Sequence, residues 1–265
     1  MIDSFAFKDR YSIDDLLHIM RCLRAPGGCP WDAAQTHESI RKNLIEETYE
    51  VIEAINKQDK DLLLEELGDL LLQVVFHTEM ETEQGGFTFD DVCNGVCQKL
   101  VERHPHVFGT VHAETAEDAL SSWDNVKIAK KGQKKGSVPM LSVPRELPAL
   151  MRADKIQTKA KKVGFDWPDV SGALDKLGEE TAELKEAIAA GDRDQISMEL
   201  GDLLFSAVNV SRFVECDAEE ALTASSDKFI ARFQKLEALA AERGLNLEEM
   251  SLSEMDKLWD EVKSK

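Results

Sequence analysis

The sequence predicts an all-α protein made of two tandem helical modules, each gathering acids in the manner of a four-helix-bundle metal site. Three observations predict this. Aromatic residues make up 6% of the 265 positions, with 7 Pro and 15 Gly, a composition that suits helices better than an all-β sandwich. Apolar residues recur at separations near multiples of 3.6, as in Leu44, Val51, Ile52 and Ile55, and no convincing alternating run is present. Finally, the chain repeats itself. Glu46-Glu47-Thr48-Tyr49-Glu50 returns as Glu179-Glu180-Thr181-Ala182-Glu183, and Glu66-Leu67-Gly68-Asp69-Leu70-Leu71 returns as Glu199-Leu200-Gly201-Asp202-Leu203-Leu204, both displaced by 133 residues.

The repeat extends outward from these motifs. Met20-Arg21 answers Met151-Arg152, Trp31 answers Trp167, Lys99 and Arg103 answer Lys228 and Arg232, and Trp123-Asp124-Asn125-Val126-Lys127 answers Trp259-Asp260-Glu261-Val262-Lys263. A module of about 120 residues is an ordinary domain size. The expected division is therefore a first domain over 1–127, a linker over 128–147 and a second domain over 148–265. The linker is rich in Lys, Gly, Ser and Pro, a composition that neither buries a core nor holds a helix. Its lysines (Lys127, Lys130, Lys131, Lys134, Lys135) read as a solvated hinge rather than a polyanion contact.

Charge and cysteine content exclude whole classes. Thirty-two Lys and Arg against 51 Asp and Glu give a net charge of −19, the wrong sign for a nucleic-acid polymer or an anionic membrane surface. No apolar run reaches the length of a membrane span, and the N-terminal stretch has no signal-peptide pattern; a cytoplasmic location is the expectation. Cys22, Cys29, Cys93, Cys97 and Cys216 form an odd set with no CxxC pair, against a disulfide framework or a zinc knuckle. Cys93 and Cys97, one helical turn apart, read as buried apolar thiols.

In each module the first acidic motif lies on one helix and the second on the next, which in the first copy runs from Leu62 to about Met80. The pattern breaks at Asn56 to Asp61 and again at Ala190 to Asp194, so the two helices are expected to be antiparallel and joined by a short turn. Spacing i, i+3 puts Glu47 with Glu50 and Glu66 with Asp69 on common faces. The second helix is apolar around most of its circumference, with Leu62-Leu63-Leu64, Leu70-Leu71-Leu72, Val74, Val75 and Phe76, which predicts a buried helix. Ionised acids there cost several kcal/mol unless something compensates them. Four carboxylates converging between two helices call for protons or cations, and a hard divalent ion, Mg²⁺ with Mn²⁺ as a possible substitute, prefers oxygen ligands of this kind.

A di-iron bundle is the rival, but that design supplies imidazole from Glu-x-x-His. Neither copy has it, and all six histidines (His18, His37, His77, His104, His106, His112) fall in the first half. His104-Pro105-His106 reads as a Pro-containing helix terminus. Lys99 with Arg103, and Lys228 with Arg232, lie one turn apart and suit phosphate oxygens; Lys176, four residues before Glu180, suits either phosphate or an intrahelical salt bridge. Neither a P-loop nor a Rossmann fingerprint is present.

EExxE, fifteen residues, then ExxD with GDLL, in two copies about a linker, resembles the MazG nucleoside triphosphate pyrophosphohydrolases, all-α enzymes of the dUTPase-like helical superfamily. The resemblance spans nearly the whole chain and includes Cys29-Pro30-Trp31-Asp32, Arg103-His104-Pro105-His106-Val107-Phe108 and Val163-Gly164-Phe165-Asp166-Trp167. It implies Mg²⁺-dependent cleavage between the α- and β-phosphates of a nucleoside triphosphate, in a homodimer. It also implies that Glu180, Glu183, Glu199 and Asp202 hold the metal, with Glu179 as a supporting acid. Lys176, Lys228, Arg232, Trp259 and Lys263 fall where the family contacts nucleotide. The first-half acids Glu47, Glu50, Glu66 and Asp69 are complete as a metal set, but Asn43 stands where the second half has Lys176. The second half is therefore expected to carry most of the activity. Asp194-Gln195-Ile196-Ser197-Met198, read as the turn before Glu199, lacks the Lys and extra acid of the family. Beside the hydrolase, a nucleotide or metal sensor and a helical dimerisation module remain open as function classes.

Overall fold

A computed structural model describes residues 5–111, 113, 115, 118, 119 and 140–263. These residues form helices and turns and contain no strand. The chain divides into two compact units at 133/134. His112, Trp123 to Lys127 and the linker lysines lie outside the described residues. Of the expected linker, the described part carries a 3₁₀ turn, Met140–Ser142, and the buried Val143; Lys159 Nζ donates to Ser142 Oγ at 2.8 Å.

The first unit contains α1 (Ile13–Arg24), α2 (Pro30–Ala34), α3 (Arg41–Lys57), α4 (Lys60–Glu83), α5 (Phe89–Arg103) and α6 (Pro105–Phe108). The second contains α7 (Ala149–Lys161), α8 (Val170–Ala190), α9 (Arg193–Phe213), α10 (Ala218–Glu242) and α11 (Leu252–Lys263). The two-residue turn between the acidic helices is built the same way in both. Gln58 (φ 54°) and Gly191 (φ 73°) close α3 and α8 in the left-handed region, and Asp59 and Asp192 cap α4 and α9 through their carboxylates. A left-handed residue stops a helix, and an Asp cap starts the next by accepting from free backbone N–H groups. That turn folds α3 onto α4 and α8 onto α9, the most extensive helix pairings of each unit. Asp194 to Met198 therefore belong to the start of α9, not to a turn. Pro105 opens α6 directly after His104, the helix-terminus role expected of that cluster.

Burial corrects two expectations. The C-terminal half of α4 is interior: Val75, Phe76 and Met80 join Met20 and Ile40 in the core. Its N-terminal half is not, since Leu64 is 75% and Leu67 49% exposed. The continuous apolar surface signals a helix that the single chain covers on only part of its length. Cys93 is half-buried and Cys97 exposed, because α5 turns that face away from the core rather than into it.

One polar network ties the segment before α3 to α4. His37 Nε2 lies 3.0 Å from Glu81 Oε1, and His37 Nδ1 lies 2.7 Å from His77 Nδ1. The imidazole planes differ by 3°, so the contact is an in-plane N–H···N bond that needs one Nδ1 deprotonated. Burial, then the charge of His37, lowers the pKa of His77 from the ordinary imidazole value. A depressed histidine stabilises the fold fully above the ordinary value near 6.5, and that contribution is lost as pH falls through the lower folded value. Thermal melts between pH 8 and 5 should show the first unit weakening below about pH 6.5. His77→Val, which installs the residue found at the repeat position (Val210), should flatten that dependence; an unchanged slope would remove the histidine pair as its cause.

Candidate metal-binding active site

The turn geometry decides what the acids can do. Folding α3 back on α4 brings one oxygen each of Glu47, Glu66 and Asp69 within 4.8 Å of one another, and folding α8 on α9 does the same for Glu180, Glu199 and Asp202. The two sites differ in burial. All three acids of the first are half-buried, whereas in the second Glu180 is buried, Glu199 half-buried and Asp202 exposed.

Glu50 and Glu183, the last acids of the two EExxE motifs, stand outside these three-atom groups but feel them. Burial raises the pKa of Glu183, and the charges of Glu180 and Glu199 raise it further. Glu47 is raised by burial, then by Asp69 and Glu50, and Glu66 by burial, then by Glu50. Each shift has the same two causes, loss of hydration first and repulsion among the carboxylates second, and a positive charge would relieve both. Six-coordinate Mg²⁺ with bonds near 2.1 Å spans about 4 Å between opposite ligands, so small side-chain rotations suffice to close either triad on one ion. The donors are all carboxylate oxygens, which fits a hard divalent cation rather than iron or zinc.

Among the described residues, a cation pairs with a triad carboxylate at the second site only. Lys176 Nζ lies 2.7 Å from Glu180 Oε1 and 2.8 Å from Glu179 Oε1. Its hydrogen bond to Glu179, then that to Glu180, raises its pKa. The structure thus gives Lys176 the intrahelical pairing, with its ammonium against a metal-capable carboxylate. Asn43, half-buried at the equivalent place on α3, supplies no charge. The first site instead has Gln73, whose Nε2 lies 3.5 Å from Glu47 Oε1. Sequence reasoning passed over Gln73, although it is the one polar residue in Leu70 to Phe76.

The other expected nucleotide contacts lie on α10 and α11. The Trp259 ring packs on the core of Leu236, Ala240, Leu258 and Val262 and lies 5.2 Å from the Phe229 ring. Lys263 Nζ sits 5.8 Å from the Trp259 ring centroid and 3.6 Å from Asp260 Oδ1. Lys228 is exposed and Arg232 half-buried on α10. The structure thus joins Lys176 directly to the carboxylates and sets Trp259 between the Phe229 ring and the Lys263 ammonium.

The MazG nucleotide pyrophosphohydrolase domain matches residues 35–108 and 170–236, the stretches that carry the two triads. The chain belongs to the MazG family. It is 46% identical over 250 residues to a protein of Thermotoga maritima named nucleoside triphosphate pyrophosphohydrolase/pyrophosphatase MazG, covering 94% of this chain and 95% of that one. It is 44% identical over 254 residues to the Escherichia coli K12 nucleoside triphosphate pyrophosphohydrolase, covering 95% and 97%. A Bacillus subtilis protein, YabN, is 48% identical over 246 residues, which are 92% of this chain and half of YabN. The tandem arrangement of this MazG chain is thus matched almost end to end by two enzymes. No helix among the described residues is long and apolar enough to cross a membrane.

Proposed function

We propose that the protein is a nucleoside triphosphate pyrophosphohydrolase that uses Mg²⁺, with Mn²⁺ as a substitute, to cleave NTPs and dNTPs to the monophosphate and pyrophosphate, a house-cleaning activity on the cytoplasmic nucleotide pool. The observation that carries the reading is the second triad with Lys176 set against it. Glu180, Glu199 and Asp202 would hold the metal, with Glu183 beside them and Glu179 holding Lys176 in place. When bound, the metal supplies charge neutralisation and a water of lowered pKa.

The chain's own residues supply the rest. Glu183, outside the three-atom group and with raised proton affinity, accepts the proton of the attacking water at a carboxylate oxygen. Lys176 moves from its carboxylate partners to phosphate oxygens, and Lys228, Arg232 and Lys263 hold the leaving pyrophosphate, with Trp259 against the nucleoside. Glu47, Glu50, Glu66 and Asp69 bind a metal without an equivalent lysine. A homodimer is supported by the uncovered apolar residues beside both triads, among them Leu64, Leu67, Met198 and Leu204, which a second copy would bury.

The test is a pyrophosphate-release assay across NTPs and dNTPs. Orthophosphate should appear only when inorganic pyrophosphatase is added, and chelation of divalent ions should abolish it. Orthophosphate released without pyrophosphatase would mean cleavage at the γ-phosphate and overturn the reading.

A further inference from the structure

The two triads differ in what lies against their first carboxylate, and that difference governs how each takes up an ion. We propose that the first triad holds a resident divalent ion without nucleotide, whereas the ammonium of Lys176 keeps the second triad from loading until a triphosphate draws it away. The inference rests on the hydrolase reading above and names the order in which its sites fill.

Glu47 and Glu180 occupy the same repeat position, and each belongs to a group of three carboxylate oxygens within 4.8 Å of one another. Beside Glu180 the partner is charged. Lys176 Nζ lies 2.7 Å from Glu180 Oε1, and Glu179 Oε1 holds the same ammonium at 2.8 Å. An ion bound to Glu180 Oε1 at about 2.1 Å would stand no more than about 5 Å from that nitrogen. Two cations so close lie well inside the screening distance of salt, about 8–10 Å, so lysine and metal compete for one carboxylate. Glu180 is 4% exposed, which leaves water little power to weaken the repulsion.

Beside Glu47 the partner is neutral. Gln73 stands one turn after Asp69 on the same face of α4 and is 7% exposed. Its Nε2 lies 3.5 Å from Glu47 Oε1, at the long limit of hydrogen bonding. An amide donor steadies a metal-binding carboxylate without adding charge to the site. Asn43, at the repeat position of Lys176, is likewise uncharged, and Ser206 stands at the repeat position of Gln73. The first triad is also the more evenly enclosed: all three of its acids are half-buried, while Asp202 of the second is exposed.

A triphosphate removes the obstacle at the second site. Its oxygens accept from the ammonium, Glu180 is released to the ion, and ion and substrate enter together. Glu179, outside the triad, gives Lys176 a partner to return to once the product leaves. Between turnovers the first triad alone keeps its ion, tying α3 to α4.

Calorimetric titration of Mn²⁺ into the metal-free full chain tests this, with hydrogen exchange read by mass spectrometry to locate each ion and circular-dichroism melting to check each variant. Wild type should show two classes of site, the tighter protecting α3 and α4, and the other, weaker by at least about tenfold, protecting α8 and α9; outer partners of a metal ligand have effects of that size. At a Mn²⁺ concentration that fills only the tighter class, an α,β-methylene triphosphate, which resists cleavage, should extend the protection to α8 and α9. Lys176→Met should tighten the weaker class about tenfold, and Lys176→Arg, which keeps the charge, should leave it weak. Asn43→Lys should weaken the tighter class by a similar factor. Equal affinities at the two triads, Lys176→Met and Lys176→Arg variants that bind Mn²⁺ alike, or protection that the analogue does not extend would overturn the inference and leave the hydrolase reading standing. A wild type that binds no Mn²⁺ and releases no pyrophosphate from any NTP defeats the hydrolase reading, and the inference with it.

Discussion

Glu199→Gln is expected to lower kcat by more than about a hundredfold, given that even outer-shell partners of a metal site are worth 10–100-fold, whereas Glu66→Gln is expected to leave at least half of the turnover. Both substitutions remove one carboxylate from a triad of oxygens within 4.8 Å. What separates the sites is the cation. At the second, Lys176 is already seated against Glu180 and can exchange a carboxylate for a phosphate oxygen at little cost in desolvation; at the first, Asn43 offers no charge to a triphosphate. The two variants should instead behave alike in calorimetric metal titration, each losing one class of divalent site. Steady-state kinetics of the pair decides the matter: an inactive Glu66→Gln beside a functional Glu199→Gln would assign catalysis to the first unit.

The acidic hairpins were legible in the sequence because their determinants are local. Gln58-Asp59 and Gly191-Asp192 stand at the same place in both copies, and a left-handed residue followed by an Asp cap prescribes the same sharp reversal each time. Given that reversal, i, i+3 spacing places the carboxylates together. What the sequence hid is set by distant partners. Arg212 and Asp166 are separated by 46 residues, and the repeat obscures them further, because Arg212 answers Glu79, a carboxylate 3.8 Å from Arg21. The partial exposure of α4 was equally hidden, since the sequence shows that a helix is apolar all round and not which chain covers it. His37, His77 and Glu81 come from two elements and have no counterpart in the second copy, so the repeat could not single them out.

Arg212→Met is expected to destabilise the second unit by about 3 kcal/mol, the lower end of what removing one partner of a buried ion pair costs. The Arg212 side chain is 9% and Asp166 14% exposed, so the carboxylate left behind could recover only part of its hydration. For a unit of this size the loss corresponds to roughly 10 °C in Tm. The hydrogen bond from Arg212 is the main cause of the lowered pKa of Asp166. A depressed carboxylate contributes stability that is present above its ordinary value, near 3.9, and lost as pH falls through the folded one. The deficit of Arg212→Met should therefore be complete at neutral pH and should shrink below about pH 4, a window well removed from that of the histidine pair in the first unit. Replacing both partners, Asp166→Leu with Arg212→Met, should recover much of the loss, because an empty site of apolar shape avoids the stranded charge. Hydrogen exchange read by mass spectrometry assigns the effect to α7, α8 and α9. A double variant no more stable than Arg212→Met would show that the guanidinium acts through its packing on Phe213, 4.8 Å from that ring's centroid, rather than through Asp166.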